Sequence, residues 1–185
     1  MNLLIGFSPF IAFVVLEHFF GVATGLAAAA LMSLGIVLRD ALMSGRHVKL
    51  LEVGSLLLFG FLGALAFATG ADWSVLKVRL WVDLGLCAIV LASVVAKRPF
   101  TLPYAKERVS PEIWSSERFL RVNQTLTLAW VGAFIVIVLA DLVMLYIPAV
   151  PLSLGIAITI ASLVAALKFS GWYPARATRD PQEQH

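Results

Sequence analysis

The sequence is short of most of what a soluble fold is built from. Charged residues fill 14% of its 185 positions, where a globular protein carries about 25%. Cysteine occurs once, as Cys87 inside an apolar run. No intramolecular disulfide can form, and the thiol reads as a small packing residue. Histidine occurs three times, as His18, His47 and His185, dispersed and with no cysteine or carboxylate at ligand spacing. That excludes a recognisable metal centre. There is no glycine-rich phosphate loop, no nucleophile elbow and no Ser–His pair at suggestive spacing. The expectation is a chain with no cofactor and no catalytic residues, not an enzyme.

What the chain has in excess is apolar surface. Hydrophobic residues make up 61% of it and the mean hydropathy is +0.94. A chain of this length has too little interior to hide that much, so lipid must cover the surplus. A helix crosses the bilayer with about 20 mostly apolar residues. Six candidate spans appear, at about 3–19, 21–38, 53–71, 78–96, 124–147 and 151–172. The runs are continuous rather than alternating with period two, so helices are expected and not a barrel. The first two spans together are too long for one crossing, and Glu17, His18 and Gly21 mark a tight hairpin between them. Pro148 and Pro151 bracket the turn before the last span. The N-terminus has no Lys or Arg ahead of its apolar stretch, so it reads as a retained span rather than a signal peptide. The expected fold is an all-α, polytopic membrane bundle of six transmembrane helices. It forms a single domain over 1–172, with a cytoplasmic loop at 97–122 and a polar tail at 173–185.

Orientation follows from the basic residues. Twelve of the fourteen Lys and Arg fall in the connections of one side, with Arg39, Arg46 and Lys49, then six in 97–122, then Lys168, Arg176 and Arg179. Only Lys77 and Arg79 fall on the other. That bias places both termini in the cytoplasm, and it suits a membrane surface better than nucleic acid. Within the loop, Ser110-Pro111-Glu112 has the form of a helix start. A short interfacial helix there would dip Trp114 into the headgroups while Arg118 and Arg121 face anionic lipid or a partner.

Acids inside apolar spans are the candidates for function. Asp141 lies in LAWVGAFIVIVLADLVMLYIP, seven residues before Pro148, with Ile137, Val138, Met144 and Leu145 at helical spacing. None of those can bond to it, so a partner must come from elsewhere. The expected topology gathers Glu17, His18, Arg79, Asp83 and Asp141 in the outer third of the bundle, with Lys77 nearby. Two roles are open for this polar intramembrane cluster: bonds that lock helices together, or a cavity for an ion, a proton or a small polar ligand. Small residues such as Gly21, Gly25 and Ala29, or Gly60 and Gly63, suggest close helix contacts in the fold, in a homo-oligomer or with a partner.

Several short motifs together resemble the intracellular septation protein A family of bacterial inner-membrane proteins. They are GRHVK before the third span, LFGFLGALAF within it, and WSVLKVR at a fixed distance before AKRPF. PEIW, LAW and ADLVMLY follow in the loop and the fifth span. Leu76 stands where that family usually has Trp, and Asp141 where it often has Asn. Its aromatic Trp-Val-Asn-Phe-Lys type segment is absent. The resemblance implies a non-enzymatic role in envelope integrity and septation, through contacts with division or wall-elongation proteins of the inner membrane. It brings no catalytic residues, and it favours a polar interhelical role for Asp141. The alternative from the residues alone is a small channel or transporter.

Overall fold

The computed structural model describes residues 2–43, 48–70 and 73–177. Arg46, His47, Arg179 and His185 lie outside the described residues, as do Ala71 at the end of the third expected span and the last eight positions of the expected tail. Among the described residues there are seven α-helices and no strand: α1 (Asn2–Phe20), α2 (Val22–Leu42), α3 (Leu50–Thr69), α4 (Val75–Val95), α5 (Leu102–Lys106), α6 (Glu117–Tyr146) and α7 (Leu152–Ala177). Five of them, α2, α3, α4, α6 and α7, are long and apolar enough to cross a membrane, and α1 is a shorter apolar helix. This is a multi-pass helical membrane protein.

The chain divides into two units, Met1–Ile89 and Val90–His185. In the first, α1 packs on α2 and α2 on α3. The α1–α2 hairpin has no loop, because Gly21 alone separates the helices, at φ 88° and ψ 167°. That conformation is essentially closed to residues with a Cβ. One turn on, α2 meets α1 backbone to backbone. A Cβ added at Gly25 would lie 2.9 Å from Glu17 Cβ and 3.0 Å from the Phe13 carbonyl oxygen. Ala29 continues this face and is fully buried. Gly60, by contrast, has nothing within 4 Å of an added Cβ, so the small residues of α3 do not all serve packing. Gly85 receives Leu58, and a Cβ added at Gly54 would lie 2.8 Å from Ile89, so α4 comes close to α3. Rings of Phe10 and Phe13 meet Phe59 at 4.9 and 5.8 Å to form the apolar centre.

In the second unit, α4 ends on Lys97, which adopts φ 54°. The Arg98 N–H bonds the Ser93 carbonyl and the Lys97 N–H bonds that of Val94, both at 2.9 Å. This is a Schellman cap with lysine where glycine is usual. Pro99 follows and prevents the helix from resuming. The Ser93 hydroxyl accepts the Phe100 N–H at 3.2 Å. Thr101 donates to the Asn123 carbonyl at 3.0 Å and meets the Thr127 hydroxyl at 3.0 Å, tying the start of α5 to α6.

The buried residues of α6 include Asn123, Thr127, Trp130, Phe134, Ile137, Asp141 and Met144, spaced alternately by four and three. Against this stripe packs α7. Gly155 makes room for the Met144 side chain, and the Trp130 indole N–H donates to Ser170 at 3.0 Å.

Five helix ends differ by three residues or more from the sequence reading: α2 runs to Leu42 rather than 38, α4 starts at Val75 rather than 78, and three more have local causes. The helix start at Ser110 opens a single 3-10 turn, Pro111–Ile113, with Pro111 in its first position. The long helix that follows begins at Glu117, where the Ser116 hydroxyl accepts the Phe119 N–H and Glu117 pairs with Arg121 at 2.9 Å. The fifth span therefore reaches back into the expected loop, and at about 1.5 Å per residue α6 is longer than the hydrocarbon layer. Second, α7 runs past Trp172 through Pro174 to Ala177. Stacking of Phe169 on Tyr173 and of Arg176 over Trp172, each one turn apart, holds that last stretch helical. Third, α3 begins at Leu50 rather than 53, because the Glu52 carboxylate accepts the Lys49 N–H at its N-terminus.

Gly21→Ala should cost about 1–3 kcal/mol from backbone strain alone, visible as a lower midpoint of unfolding in detergent. Lys97→Gly should instead raise that midpoint slightly. Relief of about 1–2 kcal/mol of left-handed strain outweighs the roughly 0.4–1 kcal/mol of unfolded-chain entropy that glycine adds.

Candidate functional site

The polar groups expected in one cluster fall in both units. In the first, Glu17 and His18 occupy the last turn of α1, and Arg79 and Asp83 the first turns of α4. Arg79 Nε lies 4.0 Å from Asp83 Oδ2, four residues on, with both side chains mostly buried. His18 is exposed and turns its ring edge-on to Phe19 at 5.0 Å.

Asp141 belongs to the second unit. It is fully enclosed, in the middle of the buried stripe of α6. Its neighbours one turn away, Ile137, Val138 and Met144, are buried too. A carboxylate in that position is screened from bulk lipid by the packing of its own helix face. The loop residues make local contacts. Trp114 donates its indole N–H to the Val109 carbonyl at 3.3 Å and carries the Lys106 ammonium over its ring at 5.1 Å. Arg121 pairs with Glu117, and Arg118 is exposed on α6.

The most connected group of charges was not among the candidates. Asp40 near the end of α2 and Lys49 and Glu52 at the start of α3 are all buried, Asp40 completely. The Lys49 ammonium lies 3.5 Å from Asp40 Oδ2 and 3.5 Å from Glu52 Oε1. Arg39 Nε donates to Asp40 Oδ1 at 2.8 Å, and a second guanidinium nitrogen is 2.7 Å from the same oxygen. Two acids and two bases therefore balance. In the sequence, Arg39 and Lys49 count as topology signals while Asp40 and Glu52 go unremarked. The legible signal was two acids within the same short stretch as the two bases. What the sequence does not supply is the hairpin that brings the ends of α2 and α3 side by side.

Chemically, this network clamps two helix ends. Charges out of water are tolerated only when paired and hydrogen-bonded, and these are. Compared with known protein families, curated proteins and solved structures, the chain matches none of them.

Removing one partner should be more costly than removing an exposed pair. Lys49→Met leaves Glu52 and half of Asp40 buried without their amine, and should cost about 3–5 kcal/mol. Arg121→Gln breaks the exposed pair with Glu117 and should cost less than about 0.5 kcal/mol. Unfolding of both variants in the same detergent gives the comparison.

Proposed function

We propose that the chain is a non-catalytic, multi-pass component of the bacterial inner membrane. It supports envelope integrity and septation by lateral contacts with division or wall-elongation proteins, with its basic connections and both termini in the cytoplasm. The observation that carries this reading is the state of α7. This helix spans 26 residues, yet only Gly155 and Ala166 on it are buried. Leu154, Ile160 and Val164 are exposed along its length. A helix fastened at Met144–Gly155 and Trp130–Ser170 holds its remaining faces outward at membrane depth, where another helix could pack.

Two further observations support it. Two of the ion pairs near helix ends, Arg79–Asp83 within α4 and Asp40–Lys49 between α2 and the start of α3, are internal contacts, which suits a scaffold. The motifs WSVLKVR and ADLVMLY, and the neutral-polar preference at the Asp141 position in the family they resemble, point the same way.

Placing a photoreactive phenylalanine analogue at Ile160 or Val164 in living bacteria should give discrete protein adducts, identified by mass spectrometry as division or wall-elongation components. The same probe at the buried Phe134 should give none. Adducts with lipid alone from both α7 positions would refute the reading.

A further inference from the structure

A cleft of about 380 Å³ opens between the end of α3 and the start of α4, lined by Phe61, Leu62, Leu65, Trp73, Lys77 and Trp81 among others. That is within the roughly 300–1,000 Å³ of small-molecule sites. Its polarity is graded along the helix axis. Trp73 and Lys77 flank the α3–α4 connection, while Phe61 lies eight residues back from the end of α3, about 12 Å deeper at the usual rise. Among the described residues no carboxylate pairs with Lys77, and its side chain is exposed at the mouth. The first turn of α4, whose Lys77 and Val78 N–H groups are bonded to the Ser74 carbonyl at 3.0 and 3.1 Å, brings the positive end of a helix to the same level.

We propose that this cleft binds one anionic phospholipid. The acyl chain lies along Phe61, Leu62 and Leu65, and the phosphate is held by Lys77 at the start of α4. The match is of two gradients. A phospholipid has its charge at headgroup depth and hydrocarbon below it, and the cleft has a cation at headgroup depth and aromatic and aliphatic walls below it. Tryptophan at the mouth is the residue that favours this interface. A free phosphate would find the cation but leave the walls unfilled. A neutral or zwitterionic lipid would fill the walls but gain less from Lys77.

The test uses the full-length chain in non-ionic detergent, with native mass spectrometry counting bound phosphatidylglycerol or phosphatidylcholine of matched chains. The wild type should bind a single phosphatidylglycerol about five-fold more tightly than phosphatidylcholine, the worth of one interfacial lysine. Lys77→Gln should erase that preference, whereas Lys97→Gln, outside the cleft, should keep it. Leu65→Trp, which fills the cleft from an already half-exposed position, should weaken both lipids alike. Excess inorganic phosphate should leave the bound lipid in place. Equal affinity for the two lipids in the wild type would overturn the proposal. So would a preference that survives Lys77→Gln, or displacement of the lipid by phosphate.

Discussion

Inside a hydrocarbon layer no water is available to bond a peptide N–H or C=O, and each unmet group costs several kcal/mol. Most of this chain lives under that constraint. Helix is the way a single apolar segment meets it, and nearly all the described residues are helical. The connections then become the places where the constraint is hardest to satisfy, and the local chemistry concentrates there. Gly21 removes the α1–α2 connection altogether. Lys97 accepts a strained conformation so that two orphan carbonyls of α4 are bonded before Pro99. Ser93 and Thr101 close the next stretch with side-chain hydroxyls.

Charge is handled by the same logic. A charged side chain at mid-bilayer costs roughly 2.5–3.5 kcal/mol on insertion scales. Asp40, Lys49 and Glu52 occupy the facing ends of α2 and α3, while Arg79 and Asp83 sit about one and two turns into α4. At the ends of α2 and α3 the ammonium of Lys49 fastens one helix to the other. Asp141 is different in kind, since it is enclosed by the side chains of a helix interior.

The helices were legible because bilayer thickness fixes their length and lipid fixes their composition, leaving little room for alternatives. Gly21 was legible as a break because polar Glu17 and His18 precede it in an otherwise apolar run, and Gly25 as a contact because it is one turn further on the same face. The i,i+4 spacing of Arg79 and Asp83 already implied a pair. Other features depend on tertiary geometry. Ser110 was legible as a cap, and it caps a 3-10 turn, but Ser116, which caps the long α6, was not singled out. The role of Asp40 appears once α3 is folded back beside it. Gly60 resembles Gly25 in sequence, yet open space faces one and a neighbouring backbone the other.

The spacing of the inward-facing positions on α6 has a geometric outcome. From Asn123 to Met144 it repeats every 3.5 residues on average, while a straight helix turns once in 3.6. The mismatch accumulates at about 20° per heptad, so over this distance the seam winds roughly 60° around the cylinder. No single straight rod can follow it from end to end. At one extreme the seam is met by Thr101, at the other by Gly155: α6 passes its contact from one neighbour to the next as it crosses, like a spiral stair with a different wall at each landing.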